Sequence, residues 1–182
     1  MTEAEWLTCV VPGPMLEQLA GHGTYRKRVL LALSWCDRIW DLLFDNRSRE
    51  ALQVTRQWLE GTAKKSQLFT ACEAAWETMR DLASEHKDAA RAASGVLLLA
   101  WDKRKKLGNT GWPDGGMDEN PAQPDCLWAI SFDCALASIS RRQTELEQHC
   151  ALIRDIFGNP FRPVTVNPAC LTSDVTGIAQ AS

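Results

Sequence analysis

The chain has 182 residues, 45% of them hydrophobic and 24% charged, with a formal net charge of −3. That is ordinary globular usage with length enough for one real core, and it excludes a disordered polyelectrolyte. An acidic balance also argues against a surface that attracts nucleic acid or anionic lipid as a whole. Seven cysteines stand at 9, 36, 72, 126, 134, 150 and 170. They are scattered, odd in number and never spaced C-x-x-C, which fits reduced thiols in a cytoplasm better than a secreted disulfide scaffold. The opening Met1-Thr2-Glu3-Ala4-Glu5 is acidic where a signal peptide needs positive charge. The longest apolar run, Val96 to Trp101, is far too short to span a bilayer.

Helical periodicity dominates from the first residues. Thr2 and Glu5 have the spacing of a capping box, which opens a short helix running to about Val10. Pro12 and Pro14 end it, and Pro14 is suited to the first turn of a second short helix ending near Gly21 or Gly23. From Thr24 to about Phe44, Val29, Leu33, Cys36, Trp40 and Leu43 recur at four, three, four and three, one face of a long helix. Asp45 to Arg47 read as a turn, with Ser48 capping a helix that Gly61 stops.

The same spacing returns in Leu68, Cys72, Ala75, Met79 and Leu82, after a start at Thr62 or Ser66. A break at His86 to Asp88 precedes an alanine-rich helix reaching about Leu107. Gly108 to Pro124 is a Gly/Pro-rich loop that neither helix nor strand tolerates. From Asp125 to Phe157, Trp128, Phe132, Ala135, Ile139, Leu146, Cys150, Ile153 and Phe157 form a near-heptad stripe broken at Arg142. A straight helix of that length would be about 50 Å long, so a kink is expected between Ser138 and Arg142. Gly158 supplies the helix stop, and residues 158–182 read as an extended tail.

Two stretches carry a family likeness. Met1-Thr2-Glu3-Ala4-Glu5-Trp6-Leu7 with Pro14-Met15-Leu16, and Leu152-Ile153-Arg154-Asp155-Ile156-Phe157-Gly158-Asn159-Pro160-Phe161-Arg162-Pro163-Val164, resemble the two ends of a paralogous family of uncharacterised planctomycete proteins. Arg38-Ile39-Trp40 resembles a further family feature at the end of the third helix. The likeness is close at both ends and loose in the alanine-rich middle. It implies a bacterial helical protein and assigns no activity. Family members often continue beyond the region of Leu171-Thr172 with additional Cys and His residues, so a shortened version, a degenerate one or a piece of a longer parent is expected here.

Four constellations are candidates for function. Cys36, His149 and Cys150 are the thiol or metal candidates, since a nucleophilic cysteine needs a base within reach and zinc needs converging Cys and His. Against them, Cys150 lies on the apolar stripe, where free cysteine acts as a small hydrophobe. Adjacent helical residues also diverge by about 100°. No zinc spacing occurs, although Cys126 with Cys134 remains open, and Glu145-Leu146-Glu147-Gln148-His149 reads as a solvated face. The basic run Lys103, Arg104, Lys105 and Lys106 suits a helix C-terminus and is the one nucleic-acid candidate.

Eight tryptophans against one tyrosine is the least ordinary feature, and Trp112, in the Gly/Pro loop, is the leading candidate for a partner contact. Of Trp35 and Trp40, one is expected off the buried face. Gly158, Pro160, Phe161 and Arg162 read as a structural clasp, with Phe161 folding onto the preceding helix and Arg162 pairing with Asp155. The expected architecture is all-α: a mainly antiparallel bundle of five or six helices in one domain over 1–182, with an extended C-terminal tail. The expected function is non-enzymatic protein–protein interaction or self-association, without a cofactor, a membrane or a small-molecule substrate. A Cys/His enzyme and nucleic-acid binding are the alternatives.

Overall fold

The computed structural model describes residues 1–20, 23–82, 86–101 and 124–162. The Lys103–Lys106 run, Trp112, the Gly/Pro loop up to position 123 and the tail beyond Arg162 lie outside them. Eight α-helices are present among the described residues, and no strand. They are α1 (Glu3–Thr8), α2 (Pro12–Gln18), α3 (Tyr25–Asp37), α4 (Asn46–Leu59), α5 (Lys65–Asp81), α6 (Lys87–Trp101), α7 (Pro124–Ala137) and α8 (Arg142–Phe157). The protein is an all-α helical bundle. The number exceeds the expected five or six because the short α1 and α2 form separately and the 125–157 segment is split into two helices; the break after α3 adds only a 3-10 turn.

The first break follows α3. The chain leaves the helix at Arg38 and makes a 3-10 turn over Trp40–Leu42 before Asp45 caps α4. The second falls where the kink is expected. α7 stops at Ala137, a 3-10 turn occupies Ile139–Arg141, and α8 starts afresh at Arg142. A fresh start resets the helical phase, so a stripe that is continuous in sequence need not stay on one face in space. That has consequences for α7.

Local chemistry explains most ends. At Thr2 the predicted capping box forms: Glu5 N–H donates to Thr2 Oγ1 at 3.3 Å, and Thr2 N–H donates to Glu5 Oε2 at 2.7 Å. The two hydrogen bonds with Thr2 hold the Glu5 carboxyl below its usual pKa. Pro12, not Pro14, opens α2, where a missing N–H costs nothing. Gly61 closes α4 with φ +76°. Gly158 closes α8 with φ 76° and ψ −159°, a region essentially reserved for glycine and distinct from the left-handed helical geometry of an ordinary C-terminal stop.

The main core is shared by α1, α2, α3, α6, α7 and α8. Trp6, Met15, Val29, Leu31, Trp35, Cys36, Ile39, Val96 and Ile153 are among its fully buried members. Trp6 and Trp35 each remove on the order of 200 Å² from water. α3 is buried on more than the single predicted face, because helices flank it on several sides. Trp35 is therefore inside and Trp40 half-buried, which settles which of the two leaves the core. A second cluster of Ala51, Leu68, Ala75 and Leu97 joins α4 and α5 to α6. Thus α6 packs against α3, α4, α5 and α7 at once. Its small residues make this possible: a Cβ at Gly95 would lie 2.7 Å from Ile130 of α7.

Candidate functional site

Three groups of chemistry-bearing residues stand out, and each is built by the meeting of separate helices. The first is a polar centre enclosed by α3, α7 and α8. His149 is fully buried, with its Nδ1 2.8 Å from Ser131 Oγ and its ring 5.0 Å from the Trp35 ring. Its Nε2 and the Trp35 Nε1 have no hydrogen-bond partner among the described residues. A proton on Nδ1, donated to Ser131, leaves Nε2 as a bare acceptor, which is cheaper to bury than an orphaned N–H. Burial, with the Arg38 guanidinium nearby, lowers the His149 pKa to about 3, so the ring is neutral at ordinary pH.

One helical turn earlier, Glu145 is only 2% exposed. Arg38, from the end of α3, reaches it with two hydrogen bonds, Nε at 2.7 Å and Nη2 at 3.3 Å. The Arg38 side chain keeps 32% of its surface in water, so the pair is a gate-post at the edge of the bundle rather than a sealed ion pair. Glu145 and His149 were expected on a solvated face. They are inside because α8 is covered by α2, α3 and α7, and a four-residue step aligns both with buried Ile153.

The thiol candidates are not gathered by this centre. Cys36 Sγ stands 3.9 Å from Cys134 Sγ of α7, inside the core. Cys150 is buried, its thiol pushed up to about 12 by desolvation and by the nearby Cys9. Neither has the electropositive, accessible setting of a reactive cysteine. Among the described residues no three His, Cys, Asp or Glu side chains come close enough to hold a metal ion. The Cys126 side chain, half of the other zinc pairing considered, lies outside the described residues. Ser131 and His149 have the spacing of a nucleophile and its base, but both are enclosed by packed helices. In that position they bridge two helices.

The second group joins α1 to the end of α8 and the turn that follows it. Arg154 of α8 donates from Nε and Nη2 to the carbonyl of Trp6 at 3.0 and 2.9 Å, and from Nη2 to the carbonyl of Cys9. These carbonyls belong to the end of α1, where a cation complements the unpaired C=O groups. Asn159 Nδ2 donates to Glu3 Oε1 at 2.7 Å, and Arg162 pairs with the same carboxylate. The clasp therefore exists, with different fingers. Arg162 grips Glu3 in place of Asp155, and Phe161 stays at the surface with its N–H donating to Asn159 Oδ1. Pro160 is half-buried within the turn.

The third group is apolar and faces outward. Trp128 is 47% exposed and stacks on Phe132, ring centroids 5.2 Å apart and planes 12° apart. Gly13 makes room for the indole, since a Cβ there would lie 3.1 Å from Trp128 Cδ1. Val10 and Val11, just before α2, are also exposed, and Ile139 is 75% exposed on the 3-10 turn. Arg142 lies over the Phe132 ring, 5.0 Å from its centroid, and Asp133 is held by Arg91 of α6. Trp128, Phe132 and Ile139 were expected inside. Trp128 and Ile139 are exposed and Phe132 is half-buried, while Ala135 is inside as expected, together with Leu127, Ile130, Ser131 and Cys134. No protein-family model matches the chain, and neither a curated protein nor a solved structure matches it. No described helix is long and apolar enough to cross a membrane.

Proposed function

We propose that this chain is a non-enzymatic interaction module that binds a protein partner, a second copy of itself included, through the outer face of α7. The observation that carries this reading is exposed Trp128, stacked on half-buried Phe132, with exposed Ile139 on the turn after α7. Exposed tryptophan beside arginine is the composition of an interface hot spot, because a rigid ring gives up little entropy when it is covered. The buried polar centre supports the same reading from the other side. Its histidine, serine and glutamate are committed to holding α3, α7 and α8 together.

The reading includes a cytoplasmic location, which rests on the scattered thiols, and kinship with the planctomycete proteins that the chain's two ends resemble.

Light scattering on the size-exclusion peak, with a pull-down on the tagged chain, tests the proposal. We expect association that Trp128→Ala and Ile139→Asp each weaken at least tenfold, with helical content unchanged. Trp112→Ala serves as the comparison for the Gly/Pro loop. A wild-type chain that stays strictly monomeric and retains no protein overturns the proposal. So does association that survives both α7 substitutions.

A further inference from the structure

Cys36 and Cys134 are 98 residues apart in sequence, yet the core of the bundle sets their sulfurs 3.9 Å apart. The contact joins the middle of the molecule to α7, and both side chains are fully buried. A disulfide needs about 2.05 Å between sulfurs, so a further approach of roughly 2 Å makes the bond. Small rotations of two short side chains on neighbouring helices span that distance. Cys9 and Cys150 are a second neighbouring thiol pair, but the Cys9 thiol is turned to the Val11 carbonyl, and Cys72 lies against the separate α4–α5–α6 cluster.

We propose that Cys36 and Cys134 form a reversible disulfide when the protein meets a small hydroperoxide, locking α7 onto α3. A small neutral oxidant is required because the pair lies behind packed helices, where a peptide disulfide such as oxidised glutathione does not reach. One thiol loses its proton during a local opening and attacks a peroxide oxygen. The O–O bond breaks, hydroxide leaves and takes up that proton as water, and the sulfur becomes a sulfenic acid. The second sulfur then attacks the first, the S–O bond breaks, and water departs carrying the second thiol's proton. Two thiols and one hydrogen peroxide thus give one disulfide and two waters. Burial and the facing Cys36 thiol keep Cys134 protonated in the closed bundle, so oxidation waits on opening and is slow. Once formed, the bond closes a long loop and fixes the helix that carries Trp128 and Phe132. This inference is independent of what, if anything, binds that face.

The full-length protein, treated with millimolar hydrogen peroxide, alkylated and digested without reductant, provides the test. We expect a Cys36–Cys134 linked peptide with the loss of two hydrogens, restored by dithiothreitol. Its formation should accelerate at least fivefold in mild urea. The oxidised form should unfold roughly 10 °C higher, as expected for a closed loop of this length. Cys134→Ser should abolish both the linked peptide and the shift; the wild-type mapping decides the matter even if that variant folds poorly. Recovery of both cysteines alkylated, conversion to sulfinic acid without a link, or linkage of either to another cysteine overturns the proposal. An unchanged or lowered midpoint in the linked form overturns the lock.

Discussion

His149 shows how far a single side chain can be displaced from its ordinary chemistry. In the folded protein its pKa lies at about 3, against 6.5 when unfolded, because burial disfavours the charged ring. Below pH 6.5 the unfolded chain therefore takes up a proton that the folded chain refuses. The stabilisation is fully present above that pH and is lost as pH falls toward 3. The slope approaches about 1.4 kcal/mol per pH unit. We expect urea unfolding to show about 2 kcal/mol less stability at pH 5 than at pH 7 from this group alone. In His149→Gln that share of the decline disappears; an identical decline in both proteins contradicts the assignment. Only part of this was legible beforehand. Glu145 and His149 share a face with Ile153 by simple four-residue spacing, but charged and titratable residues read as solvated unless their partners are visible. Arg38 and Ser131 lie 107 and 18 residues away from theirs. Nothing local announces such pairs.

Among the elements, the short N-terminal helices and the break near Arg142 were the readable parts, whereas the break after Asp37 was not, since its apolar spacing runs on to Leu43. The capping box of α1 and the interruption before Arg142 both follow from local rules. The orientation of α7 does not, since it depends on the phase lost across Ser138–Arg141. Large apolar side chains at Trp128, Phe132 and Ile139 read as core when α7 and α8 are taken as one helix. As two helices, they leave Trp128 and Ile139 in solvent and Phe132 half-buried, while Leu127, Ile130, Cys134 and Ala135 fill the interior. The end of α8 is set more firmly. Gly158 adopts φ 76° and ψ −159°, which a side chain tolerates only with strain. Gly158→Ala is expected to lower stability by about 1 to 3 kcal/mol in denaturant unfolding, although a Cβ there meets nothing within 4 Å. A loss under 0.5 kcal/mol would show that the turn relaxes into another conformation and that Asn159 and Arg162 do not hold it.

At the scale of the whole molecule, the bundle separates its polar and apolar chemistry in an unusual sense. Serine, histidine and a glutamate–arginine pair are drawn inward to fix α3, α7 and α8, while a tryptophan and an isoleucine are left outside. α1 is tied to the end of α8 and the turn after it by Arg154, Asn159 and Arg162, so the face near α1, α2 and α7 has a defined shape. Burying aromatic side chains inside is worth several kcal/mol each, and exposing them is retained where another surface covers them. A photoreactive benzophenone side chain placed at position 139 in living cells asks directly whether that happens. We expect irradiation to link the chain to one defined protein or to its own copy, and to yield no link from the same group at exposed Gln53 on α4. Absence of any adduct at 139, or equal labelling from both positions, would contradict a binding role for the outer face of α7.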